Sequence, residues 1–209
     1  MACVAVFGLA DNLPTNNVYL GVGTTGPVLG YRYILNDNLA LRADIAGFSI
    51  SKDFDSDDVK YDANIKMMNV GVYADYFPFD SGFFISGGAL FGKNKINLTA
   101  KPNAMHTIEM NGKSYLFGKD DFIETKLTTP DVRPYLGIGY AKTKSKGFGF
   151  STNLGVAYGK FKVDAKASDG LNSIPGFKED FDREVQDVRD DFNKVKVYPV
   201  INIGVSYSF

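Results

Sequence analysis

The 209-residue chain carries a net charge of −1, 22 glycines, 14% aromatic residues, no tryptophan and a single cysteine, Cys3. That length suits one domain, the near-neutral charge removes the electrostatic case for a nucleic-acid partner, and one cysteine excludes an intrachain disulfide and a cysteine-built zinc site. The composition is too aromatic for disorder and too glycine-rich for a helical bundle, and no stretch approaches the roughly 18 apolar residues of a transmembrane helix.

The first ten residues, MACVAVFGLA, are apolar and end small–x–small ahead of Asp11. They read as a signal-peptide remnant over 1–10 before a single domain over 11–209; a short buried strand is the alternative. Alternating runs follow at 18–23 and 28–35, then the turn Asn36-Asp37-Asn38. In 39–45, Leu39, Leu41, Ala43 and Ile45 oppose Ala40, Arg42 and Asp44. In 68–76, Met68, Val70, Val72, Ala74 and Tyr76 oppose Asn69, Gly71, Tyr73 and Asp75. The run 83–91 is less clean, with Phe84 and Leu90 among its small residues. Runs at 132–141, 148–158 and 197–209 repeat the pattern, the last placing Asn202, Gly204, Ser206 and Ser208 opposite Ile201, Ile203, Val205, Tyr207 and Phe209. Period-two alternation of this kind predicts eight strands.

Tight turns at 36–38, 78–81 and 144–147 alternate with charged connections at 52–61, 96–131 and 163–193, read as long loops. Short turns then share one end of the sheet and long loops the other. TTGP at 24–27 departs from the rule, being short on the long-loop side. Within 107–118, Asn111-Gly112 predicts a hairpin. In 177–192, Phe181, Val185, Val188 and Phe192 fall at helical spacing, which predicts a short amphipathic helix lying over the mouth of the sheet structure.

The two strand faces differ in kind. One is Leu, Ile, Val, Phe and Tyr and nearly free of charge; the other is Gly, Ala, Ser and Asn with a few Arg and Asp. A soluble barrel puts a face rich in Lys, Glu and Thr in water, and this chain has no such face. Small residues suit the narrow interior of an eight-stranded barrel, and an outer face without charge suits lipid. The expected fold is therefore an all-β, eight-stranded antiparallel transmembrane β-barrel with short periplasmic turns, long extracellular loops and one short helix. Aromatics gather near the tight-turn end, among them Tyr31, Tyr33, Tyr76, Phe77, Phe79, Phe83, Tyr140, Phe148, Phe150, Tyr207 and Phe209, as an interfacial girdle would.

The segments VGTTGPVLGYRYILNDNLALRADIAGF (22–48), NGKSY (111–115) and RPYLGIGYA (133–141), with the acidic segment before the last strand, resemble the CarO-type outer-membrane proteins of Acinetobacter and relatives. The resemblance implies an eight-stranded barrel of the Gram-negative outer membrane with a largely closed lumen. It also implies an association with permeability to small polar solutes, including basic amino acids and carbapenems.

Alternation points Arg32, Arg42, Asp44, Asn69, Tyr73, Asp75, Arg133, Tyr135, Asn153 and Asn202 inward. They form either a polar pathway for small solutes or an ion-paired structural plug, which eight strands favour. Asn202, Gly204, Tyr207 and Phe209 resemble the C-terminal signal read by the outer-membrane insertion machinery. Acids on the 177–192 helix would draw cations to the rim. His106, with Glu109 three residues on, is too isolated to support catalysis, so no enzyme activity, metal or cofactor is expected. The expected partners are outer-membrane lipid, the insertion machinery and a small polar solute, for a monomer. A non-transporting structural or adhesive barrel of the OmpA and OmpX kind is the alternative, and an outer-membrane enzyme a more distant one.

Overall fold

A computed structural model describes residues 16–56, 59–102, 105–143, 145–194 and 196–209. The expected signal remnant at 1–10 lies outside the described residues. In chain order the elements are β1 (Asn16–Gly23), β2 (Gly26–Asn36), β3 (Leu39–Ser56), β4 (Val59–Tyr76), β5 (Phe83–Phe91), β6 (Lys95–Pro102), β7 (His106–Met110), β8 (Lys113–Phe117), β9 (Ile123–Thr128), β10 (Val132–Ala141), β11 (Gly147–Tyr158), β12 (Lys162–Ala167), α1 (Asp169–Asn172), α2 (Phe177–Lys194) and β13 (Val197–Ser208).

Eight antiparallel strands close a ring in the order β1, β2, β3, β4, β5, β10, β11, β13. The last pair, β13 with β1, runs from Asn17↔Ser208 to Gly23↔Asn202. Backbone bonds between Asn16 and Phe209 (3.3 and 2.9 Å) extend it to the final residue. The short connection at 24–27 is anchored to β13. Thr24 donates its amide to the Ile201 carbonyl (3.0 Å) and its hydroxyl to the Pro199 carbonyl (3.1 Å). The β1–β2 turn is thereby stitched onto β13, and no longer loop is needed to reach it.

The segments expected as loops contain regular structure. The β3–β4 ladder is unbroken from Leu39↔Tyr76 to Ser56↔Val59, so 52–56 and 59–61 are strand. Eighteen residues span about 60 Å at a rise of ~3.3 Å each, where about 9–11 residues cross a bilayer. The upper halves of β3 and β4 thus overhang the ring. β6 pairs with the upper half of β4, β9 with β6, and β12 with β9. The connection 96–131 therefore holds β6, a β7–β8 hairpin and β9, and 163–193 holds most of β12 and both helices. Charged residues here mark strands with one wet face, which read like loops in composition.

Face polarity inverts along β4 without any break in the strand. Outward residues Tyr76, Ala74, Val72, Val70 and Met68 give way to Lys66, Asn64, Asp62 and Lys60. Inward residues Asp75, Tyr73, Gly71 and Asn69 give way to Met67, Ile65, Ala63 and Tyr61. Across the overhang Ile65, Ile96, Leu127 and Val163 share one face in register, and Lys66, Lys95, Thr128 and Lys162 share the other. The outward surface therefore changes from apolar to charged within one residue pair.

Inside the ring, small residues make room for large rings. A Cβ at Gly30 would lie 2.1 Å from the Tyr19 ring, and one at Gly155 would lie 2.2 Å from the Tyr135 hydroxyl. Phe77, expected in the girdle, is buried instead. It packs on Phe84 (5.4 Å between centroids) with Ala40 and Ala141, forming the apolar floor at the tight-turn end. Phe84 in that floor, and Leu90 among the inward rings at the other end of the strand, are what spoil the alternation of 83–91.

Above the mouth sits a second core of Tyr115, Phe117, Leu171, Phe177 and Phe181. Asn111 (φ 49°) and Gly112 (φ 75°) make the left-handed turn of the β7–β8 hairpin. The helix runs from Phe177 to Lys194, two residues past its expected end. Its apolar stripe divides, with Phe181 entering the hairpin cluster and Phe192 packing on Phe161 at 5.8 Å. Asp180 latches helix to hairpin, accepting from Asn111 Nδ2 (2.9 Å), Lys113 Nζ (2.8 Å) and the Tyr115 hydroxyl. Those hydrogen bonds, Lys113 foremost, hold its carboxyl well below the usual carboxylate range, and the same contact pushes the Tyr115 phenol up to about 12.

Two outcomes follow from the packing and the latch. Gly155→Val should destabilise the ring by about 1–3 kcal/mol, as overpacking does, whereas Gly87→Val, with no atom within 4 Å of the added Cβ, should not. Thermal unfolding in detergent micelles would separate them. Because the Asp180 pKa is depressed on folding, its contribution is present above the unfolded carboxylate value of about 3.9 and is lost as pH falls below it. Protection factors of the 113–117 amides, exchange rates corrected for the intrinsic pH dependence, should stay flat from about pH 8 to 5 and fall below about 4, and Asp180→Ala should lower them across the flat range.

Candidate functional site

All ten residues of the polar set fall inside the ring, each no more than 7% exposed. The structure does not gather them into one cluster. It divides them into a central ion-pair network, a tyrosine–asparagine layer and an isolated arginine at the long-loop mouth.

The central network is built across β1–β5. Arg32 and Arg42 lie directly opposite each other on β2 and β3, a like-charge pair that needs a counter-ion. Asp75 supplies it. Its Oδ2 accepts from Arg32 Nε (2.8 Å) and Arg42 Nε (2.9 Å), while Oδ1 accepts from Arg42 Nη2 (3.3 Å). Arg42 reaches further, donating to Asp44 Oδ2 (3.2 Å) and Ser86 Oγ (2.9 Å) and lying 3.9 Å over the Tyr73 ring. Tyr19 closes the set by donating to Asp44 Oδ2 at 2.5 Å. Arg32 donates to Asn17 Oδ1 (3.2 Å) and sits 4.8 Å over Phe84. A charge buried this deeply is tolerable only while its partners stand, and removing one costs about 3–5 kcal/mol.

Above the network lies a septum. Tyr73 meets Tyr135 edge-on at 5.0 Å, and both pack with Leu90, Ala157 and Val200. The Tyr135 hydroxyl donates to Asn153 Oδ1 (2.6 Å), and Asn153 faces Asn202 across β11–β13. The cavity beside Arg32, Arg42, Asn153 and Asn202 is only about 10 Å³, the volume of a single water at most.

The mouth above is roomier. A vestibule of about 210 Å³ stands on Leu90, Ala157 and Val200, walled by Asn94, Thr129, Phe161 and Tyr198 and floored on one side by Arg133. Arg133 donates through Nη2 to Asn69 Oδ1 and to the Gly92 carbonyl (2.9 Å). Among the described residues it forms no ion pair. Its Nε, the Tyr198 hydroxyl and Asn94 Oδ1 are buried without a hydrogen-bond partner. Among the described residues three lumen arginines thus stand against two aspartates, and both aspartates are held by Arg32 and Arg42.

Sequence reasoning passed over Tyr19, Asn17 and Ser86, although alternation through β1 and β5 points them inward. Asn94 lies in the break between β5 and β6 and carries no periodic signal. His106 and Glu109 fall on hairpin strand β7, opposite Phe117 and Ser114. In β13 the four residues resembling an assembly signal divide by face. Asn202 is buried, and a Cβ at Gly204 would meet the Leu20 carbonyl of β1 at 2.2 Å, so both belong to the interior and to ring closure. Tyr207 and Phe209 face outward beside Phe148, with Phe148 and Tyr207 ring centroids 5.0 Å apart.

No family model matches the chain, and no curated protein matches it in sequence. Solved structures do. The crystal structure of Acinetobacter baumannii CarO2 superposes with a TM-score of 0.68 at 23% identity, covering 95% of this chain and all of that one. That of Acinetobacter baumannii CarO gives 0.63 at 25% identity over 94% of this chain and 98% of its own. The likeness runs through nearly the whole of both chains, and the protein therefore has the CarO-type β-barrel fold.

Proposed function

We propose that the protein is a monomeric, non-enzymatic barrel of the Gram-negative outer membrane. It receives small carboxylate-bearing solutes in its outer vestibule and passes them only when the plug beneath rearranges. Tight turns face the periplasm and the overhang faces out. The outward face supports the membrane setting, because its ring is clad in exposed Leu, Ile, Val, Phe and Tyr, where a charge at mid-depth would cost about 2–4 kcal/mol. The neighbours' fold supports the same reading.

Arg133 carries the solute reading. Among the described residues it is a buried cation without a carboxylate partner, with an unpartnered Nε beside the Tyr198 hydroxyl in a 210 Å³ vestibule. A guanidinium of this kind is satisfied by a solute carboxylate. Basic amino acids and carbapenems, the solutes implied by the family resemblance, both carry one. The septum and the 10 Å³ lumen argue for gated passage and against a standing pore, and they are equally the observation that favours a non-transporting structural barrel. Tyr207 and Phe209 serve as the outward half of an address read by the insertion machinery.

Liposomes holding the protein should take up radiolabelled arginine faster than empty liposomes, and Arg133→Gln should slow uptake about tenfold for loss of one charge-assisted contact. The decarboxylated analogue agmatine should not be taken up. Uptake equal to protein-free liposomes would leave the structural reading. Planar bilayers should show no steady porin-like conductance. Deleting Phe209 should lower the folded, heat-modifiable fraction in cells, and unchanged folding would remove the address role.

A further inference from the structure

Three ring strands break off at one height, at 92–94, 129–131 and 159–161, where β5, β10 and β11 pass over to β6, β9 and β12. Outward residues just below these breaks are apolar: Phe91, Val132 and Tyr158. Just above, on the same outward face, lies an open cleft of about 720 Å³ whose charged lining is five lysines, Lys93, Lys95, Lys126, Lys160 and Lys162, against two carboxylates, Asp131 and Asp164. Lys95 and Lys162 belong to one hydrogen-bonded row with Thr128 between them, and Lys126 stands in the next row up. Among the described residues only Lys93 has an ion-pair partner, Asp131 at 3.3 Å. Asp164 stands opposite Lys126 without an ion-pair contact, so among the described residues five lysines face two carboxylates and the cleft keeps a net positive charge that an anion would relieve.

We infer that this cleft binds the phosphorylated sugar headgroup of an outer-leaflet lipid, the acyl chains lying against the apolar ring directly below. The inference rests on the outer-membrane reading above. Several ammonium groups at fixed height over an apolar wall match a ligand whose phosphates lie at the top of its hydrocarbon. A free anion would gain nothing from that wall. The cleft and the vestibule share Thr129 and Phe161 at the strand breaks, but on the overhang itself they take opposite faces, Lys95 and Lys126 for the cleft and Ile96 and Leu127 for the vestibule, and Arg133 lines only the vestibule.

The test uses the full chain in phosphatidylcholine nanodiscs containing graded amounts of bisphosphorylated lipid A, with bound lipid counted by native mass spectrometry after transfer to detergent. The wild type should retain lipid A in preference to phosphatidylcholine. Lys95→Gln/Lys126→Gln/Lys162→Gln should bind it about a hundredfold more weakly, from ~1 kcal/mol per basic residue at a lipid surface. Dephosphorylated lipid A should behave like phosphatidylcholine. Equal retention by the triple variant would overturn the proposal, as would displacement of lipid A by an equal concentration of inorganic phosphate, which would mark a free-anion site. Insertion is read separately, as heat-modifiable migration from pure phosphatidylcholine vesicles. Failure there overturns the membrane reading along with this one, while insertion without lipid A preference overturns this one alone.

Discussion

A strand facing hydrocarbon has no water to complete its backbone hydrogen bonds, so every edge must be paired and the sheet must close. In this chain closure falls to the β1–β13 pair. Gly21 and Gly204 oppose each other there, and added Cβ atoms would lie 2.4 Å from the Ile203 carbonyl and 2.2 Å from the Leu20 carbonyl. The two backbones approach closely because neither carries a side chain at that point. The terminal pairing of Asn16 with Phe209 then leaves the ring no frayed end.

Closing eight strands creates an interior too narrow for bulk solvent, and the second constraint follows from that. Whatever points inward must fill space and satisfy its own polar groups. Glycine beneath each tyrosine ring meets the first demand, and Asp75 shared between Arg32 and Arg42 meets the second. Arg133 departs from the pattern. It sits where the plug ends and the vestibule begins, and among the described residues its charge has no carboxylate partner. The polarity inversion on β4 and the lysine row beside it mark the same boundary from outside. Inner mouth and outer collar lie at one height because both begin where the apolar wall stops.

Much of this was legible in the residues. The eight ring strands, their inward and outward faces and the inward direction of all ten polar residues follow from period-two alternation, since a strand can place side chains on only two sides. The hairpin at Asn111-Gly112 and the helix after Phe177 follow from local turn chemistry and 3.6-residue spacing. The overhang was less legible, although KINLTAKP, IETKLT and KVDAKA all alternate. They were hidden because alternation there runs with charge on the outer face, and charge density alone reads as loop. Phe77 was misplaced in the girdle because aromatic identity does not distinguish a lipid-facing ring from one that stops a barrel's floor.

The sequence by itself determined which residues share a face and which face avoids charge, because both are properties of a single strand. Tertiary structure alone decided which inward residues meet. Arg32, Arg42 and Asp75 come from three different strands, and the stagger between strands brings the arginines onto one carboxylate while leaving Arg133 beyond reach of either aspartate. Register is a relation between strands. The same set of inward residues, with β4 shifted by two positions, would keep its alternation and lose both ion pairs to Asp75.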